Sequence, residues 1–137
     1  MQWVLYNRRT MSPTLDDTKL LNEWRELLER HARVSCALEQ ALEHEHGLGV
    51  SEFEVLDQLA TSKKETHRIQ ELADAVHLSQ SALSRVVARL EEQGLVTRSM
   101  CTEDRRGIYA CLTKAGRERY AKARPTHRQV LEENLSA

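Results

Sequence analysis

Apolar side chains recur every three or four residues along the first third of the chain. This spacing predicts one long amphipathic helix from residue 16 to about residue 45, a stretch without glycine or proline. Its apolar positions are Leu20, Trp24, Leu27, Leu28, Val34, Leu38, Ala41 and Leu42. A helix of about 30 residues exceeds the usual length in a compact domain, so we expect part of this stripe to pack against a second copy of the chain.

A second helix is predicted after a break at Gly47 and Gly49. Ser51 and Glu54 have the spacing of a capping box, in which a serine caps the first turn and a glutamate three residues later bonds back to it. The apolar positions after Ser51 support a helix from there onward. We interpret the polar residues 61–67 that follow as a connector.

Two short apolar stripes then follow each other closely, which predicts a helix-turn-helix. The first runs from Ile69 to Val76 and the second from Leu83 to Leu90, with Ser79 placed to cap the second helix. The face opposite the second stripe carries small or polar residues and two guanidinium groups, at Ser81, Ser84, Arg85, Ala88 and Arg89. Such a face suits base edges and phosphates.

Residues 95–100 and 108–113 have the β-branched content of two strands. The segment between them carries Asp104, Arg105 and Arg106 and ends with Gly107, which predicts a β-hairpin with a charged tip. A last helix is predicted to open at Thr113 and to be interrupted by Pro125.

Residues 69–116 resemble the MarR family of bacterial transcriptional regulators. The resemblance rests on the helix ending LEEQGLV, on the D-x-R of Asp104 and Arg106, and on the L-T-x-x-G of Leu112, Thr113 and Gly116. It implies a mainly α fold with a small β-hairpin wing, that is, a winged helix-turn-helix with long dimerisation helices. Residues 14–137 then form one domain, with a DNA-binding lobe over about 51–113 and dimerisation helices over 14–46 and 114–137.

Two features depart from the family pattern. Family members usually continue beyond residue 137, so we expect a shortened last helix and a reduced dimer interface. Residues 1–13 form an arm of open role, and either Met1 or Met11 is the true start.

The resemblance also implies which residues bind DNA. The second helix of the helix-turn-helix, over about residues 79–93, is the family's recognition helix and presents its side chains to the major groove. Arg89 contacts a phosphate, and Arg106 enters the minor groove, oriented by Asp104. For Arg105, a phosphate contact and a solvated role both stay open. The implied DNA-binding residues are Gln80, Ser81, Ser84, Arg85, Arg89, Asp104, Arg105 and Arg106.

Charge is unevenly distributed, although the whole chain of 137 residues has a formal net charge of only −1. Residues 1–60 carry a net charge of −5 and residues 61–137 a net charge of +4. This split fits a polyanion partner for the second part of the chain, and it also fits an ordinary soluble helical domain.

Several classes of function are not expected. No apolar run is long enough to span a bilayer and no signal peptide is evident, so we expect a cytoplasmic protein. Three widely spaced cysteines suggest neither a disulfide framework nor a zinc site. His44 and His46 point in different directions on a helix, so we expect no metal. No catalytic motif or cofactor site is present, and we predict a non-enzyme.

The predicted function is therefore a ligand-responsive repressor that binds a pseudo-palindromic operator as a homodimer. The resemblance implies a small organic ligand, commonly aromatic. Two alternatives remain: a winged-helix adaptor that binds acidic protein surfaces, and a redox sensor that uses Cys36. We expect the Cys36 thiol to be buried or half-buried and structural.

Overall fold

A computed structural model of the chain describes residues 15–64, 66–100 and 107–135. The predicted arm over residues 1–13 and the predicted wing-tip residues Asp104, Arg105 and Arg106 lie outside the described residues. The elements are, in chain order, α1 (Leu15–His46), α2 (Val50–Thr61), β1 (Thr66–Arg68), α3 (Ile69–Ala75), α4 (Gln80–Glu92), β2 (Val96–Met100), β3 (Ile108–Leu112) and α5 (Lys114–Leu135). The mainly α fold with a small hairpin is confirmed.

The helix-turn-helix consists of α3 and α4. Ser79 caps α4 as predicted, because its Oγ accepts a hydrogen bond from the Ala82 backbone N–H at 3.2 Å. At the other end of α4, Gly94 adopts a left-handed φ of 74°, and the Leu95 N–H bonds to the Leu90 carbonyl at 2.9 Å. This glycine-dependent C-cap ends α4 and directs the chain into β2.

The predicted hairpin of β2 and β3 is extended by β1 into a three-stranded antiparallel sheet with strand order β1-β3-β2. The interpretation of residues 61–67 as a connector is wrong at its end, since Thr66–Arg68 pairs with β3 and places His67 opposite Ala110. His67 is buried, and burial together with the nearby Lys64 lowers the pKa of its ring. Strand β1 therefore attaches the start of the helix-turn-helix to β3, in the stem of the wing.

The start of α2 differs from the predicted capping box. The helix begins at Val50 with Gly49 as its N-cap, and no side chain of its own caps it. Instead the Val50 N–H donates to Oε2 of Glu39 on α1, at 3.4 Å. Ser51 is already inside the helix, so the capping-box prediction is wrong. A carboxylate from α1, and not the Ser51 hydroxyl, accepts a hydrogen bond from the first turn.

Helix α5 continues through Pro125, so the predicted interruption is wrong. A proline inside a helix removes one backbone hydrogen bond, and contacts with α1 on both sides of Pro125 keep the helix intact. Before it, Arg119 Nη1 donates to the His46 carbonyl at 3.0 Å, and after it, Thr126 Oγ1 donates to Glu45 Oε2 at 2.9 Å.

The main core lies where α2, α4, β2, β3 and α5 meet, and its largest fully buried side chains include Phe53, Leu56, Leu83 and Leu90. On one side, Phe53 stacks with two residues of α5. Its ring centroid lies 5.6 Å from that of Tyr120 and 4.2 Å from that of His127. These contacts fix α2 against α5.

Candidate nucleic-acid interface

The exposed face of α4 carries five of the eight predicted DNA-binding residues. On the opposite face, Leu83, Val86, Val87 and Leu90 are buried in the core, which fixes the rotation of the helix. The five exposed residues are Gln80, Ser81, Ser84, Arg85 and Arg89. The structure thus brings them together on one continuous surface, as the helical spacing predicts.

The first turn of this surface is polar. Ser79 Oγ lies 3.3 Å from Ser81 Oγ while it also caps the helix. Next to it, Gln80 and Ser84 line a groove of about 200 Å³ together with Arg68 and Gln70, and Gly107 and Ile108 of the wing stem form its far side. Hydrogen-bond donors and acceptors of α4 therefore lie beside the base of the wing.

Arg85 and Arg89 lie one helical turn apart on α4. Within residues 15–64, 66–100 and 107–135, no side chain forms a hydrogen bond or an ion pair with the Arg85 guanidinium. Arg89 has one partner, because its Nε lies 3.7 Å from Oε1 of Glu52 on α2. The Arg89 side chain is nonetheless 59 % exposed, whereas that of Glu52 is only 10 % exposed. Both guanidinium groups are accessible to an anionic ligand.

Arg68 is an exposed cation at this surface that sequence reasoning missed. Its Nε donates to the Tyr109 hydroxyl at 3.1 Å, and its guanidinium carbon lies 5.7 Å from the Tyr109 ring centroid. Arg68 belongs to β1, a strand of three residues. A strand this short shows no recognisable alternation of polar and apolar side chains in the sequence. Only its charge could have drawn attention to it.

The wing stem is linked to the recognition helix by Glu91 and Arg98. Arg98 of β2 donates through Nε and Nη2 to Glu91 Oε1, at 3.2 and 3.0 Å, and through its backbone N–H to Oε2 at 3.2 Å. These hydrogen bonds from Arg98 lower the pKa of the Glu91 carboxyl. The stem therefore has a defined orientation relative to α4.

The remaining predicted DNA-binding residues, Asp104, Arg105 and Arg106, belong to the segment 101–106 between β2 and β3, outside the described residues. Their proposed contact with the minor groove stays a prediction. The strands that flank the segment form a regular antiparallel pair, in which Met100 is opposite Ile108.

The thiols and histidines singled out in the sequence lie elsewhere. Cys36 is exposed on α1, so the expectation of a buried or half-buried thiol is wrong. Its position faces away from α5 because Val34 and Leu38 make the buried contacts of this segment. His46 Nε2 lies 2.8 Å from Thr126 Oγ1.

The described part of the chain contains neither a metal-binding cluster nor a helix able to cross a membrane. No group of three or more His, Cys, Asp or Glu side chains among the described residues is placed to hold a metal ion. None of the helices that the structure describes has the length and apolarity to cross a membrane.

Comparisons with known proteins place this surface in context. A family model described as the MarR family matches residues 48–108, which run from the end of α1 into β3. The chain is 32% identical over 83 residues to the HTH-type transcriptional regulator YkoM of Bacillus subtilis (strain 168). That match covers 61% of this chain and 53% of YkoM, so the chain spans about half the length of this curated relative.

Two solved structures from Streptomyces coelicolor are similar over most of the chain. The MarR family regulator AbsC shares 33% identity and a TM-score of 0.79, with 91% of this chain and 82% of AbsC covered. The MarR family regulator Sco3205, solved in complex with DNA, shares 30% identity and a TM-score of 0.79, with 88% of this chain and 74% of Sco3205 covered.

Proposed function

The chain belongs to the MarR family of transcriptional regulators, and from that premise we propose that it is a repressor that binds a pseudo-palindromic DNA operator as a homodimer. The observation that carries the proposal is the exposed face of α4, where hydroxyl, amide and guanidinium groups lie together beside the wing stem. The DNA complex of the similar regulator Sco3205 supports double-stranded DNA as the partner. Repression at an operator also implies a cytoplasmic location.

The contacts divide between base edges and phosphates. Gln80, Ser81 and Ser84 lie in the first turns of α4 and face base edges in the major groove, since recognition helices read bases near their N-termini. Arg85 binds guanine or a phosphate, and Arg89 binds a phosphate.

At the wing, Arg106 enters the minor groove and Asp104 orients it. Arg105 contacts a neighbouring phosphate or remains in solvent. In the proposal, residues 14–137 form a single domain, and residues 1–13 are an arm of open role before it.

Homodimerisation is supported by the apolar surface of α1. Large apolar side chains on its first half are exposed in the single chain, and they recur at the spacing of one helix face. They are Leu20, Leu21, Trp24, Leu27 and Leu28, with exposed fractions between 46% and 63%. A second copy would cover this stripe and present two recognition helices about one turn of DNA, ~10 bp, apart.

A small organic ligand, commonly an aromatic acid in the family, is proposed to control binding. It would act between the dimerisation helices and the recognition lobe, by favouring a spacing of the two α4 helices that does not fit the operator. In the single chain, Phe53, Tyr120 and His127 form the packed contact at this junction. A ligand that alters their stacking would change the relation of α2 to α5.

A redox role for Cys36 is a second candidate function, favoured by the exposure of its thiol on α1. Oxidation of this thiol would place polar or charged oxygen atoms on the exposed surface of α1. Replacement of Cys36 by serine tests it. If the Cys36→Ser protein is released from DNA by peroxide as readily as the wild type, this candidate is excluded.

The proposed function is tested by binding to the DNA upstream of the protein's own gene at several salt concentrations, with the mass in solution recorded alongside. Arg85→Ala and Arg106→Ala are each expected to weaken binding by about 1–3 kcal/mol, and loss of a phosphate contact lowers the salt slope by about one. Arg25→Ala, which removes an exposed arginine from α1, is the matched control. A stable dimer that binds no upstream DNA would favour a protein-binding adaptor instead.

A further inference from the structure

Glu52 is a buried carboxylate next to the recognition helix, and the proposed DNA contacts do not use it. It lies in the first turn of α2, and its side chain is 10 % exposed. A buried carboxylate is unfavourable unless charged or polar partners compensate for the lost water. The partners of Glu52 should therefore indicate why an acidic residue occupies this position.

Both partners of Glu52 lie at the C-terminal end of α4, Arg89 in its last turn and Gln93 as its C-cap. Oε1 lies 3.7 Å from Arg89 Nε, and Oε2 accepts a hydrogen bond from Gln93 Nε2 at 3.4 Å. Arg89 and Gln93 are one helical turn apart, so one carboxylate holds two successive turns of the recognition helix. This contact uses the inner nitrogen of the Arg89 guanidinium.

The outer part of the Arg89 guanidinium is available for another ligand. Its side chain is 59 % exposed, and among the described residues no partner is recorded for its two terminal nitrogens. A guanidinium presents its donors in a rigid planar arrangement, so an ion pair that restrains Nε also restrains the terminal N–H groups.

Arg89 also lines a groove between α2 and α4. The groove has a volume of about 240 Å³ and is lined by Ser51, Arg85 and Arg89 on its polar side. A hydroxyl and two guanidinium groups around one concave surface match the oxygens of a phosphate. Arg85 and Arg89 also repel each other at this spacing, and the negative charge of Glu52 offsets that repulsion.

We propose that Glu52 is a positioning residue that fixes Arg89, so that Arg89, Arg85 and Ser51 together bind one backbone phosphate of the DNA. The inference rests on the proposed function, because it assumes DNA as the ligand. It adds two residues of α2, Ser51 and Glu52, to an interface otherwise built from α4 and the wing.

The test is a double-mutant cycle with upstream DNA at several salt concentrations. Glu52→Gln keeps the size of the side chain and its bond to Gln93, and we expect it to weaken binding about three- to tenfold and to lower the salt slope by about one. In an Arg89→Ala background, Glu52→Gln should have no further effect, because the residue it positions is absent.

Glu54→Gln is the matched control. It makes the same charge change two residues further along α2, where the carboxylate lies 3.4 Å from His127 Nε2 instead of facing α4. We expect Glu54→Gln to bind DNA with the wild-type salt slope. Thermal unfolding of each variant separates a loss of positioning from a loss of folded protein.

Arg89→Lys provides an independent variant that leaves α2 untouched. A lysine ammonium is a single point charge, which cannot fix its orientation on Glu52 and still present a planar pair of donors. We expect Arg89→Lys to weaken binding about as much as Glu52→Gln does. This variant decides the matter if Glu52→Gln does not fold.

Three results would overturn the inference. Unchanged or tighter binding by Glu52→Gln, with an unchanged salt slope, would show that Glu52 does not position a phosphate ligand. Wild-type affinity of Arg89→Lys would show the same. Wild-type protein that binds no DNA would overturn the proposed function itself, and this inference with it.

Discussion

Glu91 and Arg98 join the recognition helix to the first strand of the wing through three hydrogen bonds of 3.0–3.2 Å. Helix α4 and strand β2 follow one another through the turn at Gly94, whose backbone hydrogen bonds already direct the chain into β2. The side chains of Glu91 and Arg98 add a second link, which restrains the stem of the wing relative to α4.

Arg98→Ala is expected to weaken DNA binding by about threefold or more, because the wing stem loses its fixed orientation. The helical circular dichroism should remain that of the wild type. Lys114→Ala, which removes an exposed cation just beyond the sheet, is the control for charge alone. Equal affinities of Arg98→Ala and the wild type would contradict a positioning role for this pair.

Acidification tests the same pair. In the folded protein, hydrogen bonds from Arg98 lower the pKa of the Glu91 carboxyl. In the unfolded chain, the same carboxyl takes up its proton at a higher pH. The stabilising effect is therefore present above the ordinary pKa of 4.5 and is lost as the pH falls below it. Unfolding of the wild type and of Arg98→Ala, followed across this range, should show a weaker pH dependence in the variant.

The Tyr120 hydroxyl should lose its proton at a higher pH than an ordinary tyrosine does. Burial and a 2.6 Å hydrogen bond donated to Asp57 raise the pKa of its hydroxyl to about 12. The unfolded chain loses this proton near pH 10, so the stabilising effect is complete below about pH 10 and is lost between about 10 and 12. The ultraviolet absorbance of tyrosinate measures this titration.

Tyr120→Phe should remove the late phase of that titration and lower the free energy of unfolding by about 1–3 kcal/mol, because Asp57 loses its donor. Tyr109→Phe is the control, since its hydroxyl accepts from Arg68 at the sheet and the late phase should persist. Persistence of the late phase in Tyr120→Phe would assign it to another tyrosine.

Gly116→Ala is expected to be strongly destabilising, by at least about 3 kcal/mol. A β-carbon at this position would lie far inside van der Waals contact with the Leu95 carbonyl and 2.8 Å from Leu112 Cδ1. The first turn of α5 packs against the backbone of Leu95 at this point, so moving it away would disrupt that packing. Chemical denaturation measures the effect.

Gly47→Ala serves as the comparison for that variant. Nothing lies within 4 Å of a β-carbon there, but the φ of 63° disfavours alanine, so we expect a cost of about 1–2 kcal/mol. A Gly116→Ala protein no less stable than Gly47→Ala would contradict the close packing of α5 against Leu95.

Trp24→Glu should weaken self-association and, with it, DNA binding. The side chain is 54% exposed in the single chain and lies in the middle of the apolar stripe of α1. A charge buried at the centre of an interface is expected to raise the dimer dissociation constant about tenfold or more. Sedimentation across a range of concentrations measures it.

Asn22→Glu adds the same charge on the opposite side of α1 and should leave the dimer intact. If both variants associate like the wild type, the stripe is not the dimer surface. If Trp24→Glu is monomeric and still binds DNA as tightly as the wild type, the homodimer is not needed for binding.

The elements with a long apolar repeat could be predicted from the sequence. The bounds of α1 and α4 agree with the pattern to within about two residues, because burial of one face determines both the helix and its rotation. The same reasoning identified the exposed face of α4. Its polar residues lie opposite Leu83 and Leu90, which are buried in the core.

Features that depend on partners distant in sequence could not be predicted. The first turn of α2 is capped by Glu39, Pro125 is tolerated because α1 packs on both sides of it, and β1 exists because β3 pairs with it. In each case the nearby sequence either gave no pattern for the observed structure or predicted a different one. Arg68 and the Glu52–Arg89 pair went unnoticed for the same reason.

The pairing of β1 with β3 also affects the order in which the chain can fold. Thr66–Arg68 leaves the ribosome about 40 residues before Ile108–Leu112, which supplies its hydrogen-bonding partner. Until β3 is synthesised, the backbone of β1 lacks its hydrogen-bonding partner and His67 cannot be buried against Ala110. Helix α3, which follows β1 directly, is then not anchored to the sheet. The recognition lobe therefore closes late in synthesis, after α1 and α2 have emerged, and a nascent chain that stops before β3 should remain sensitive to protease at residues 61–68.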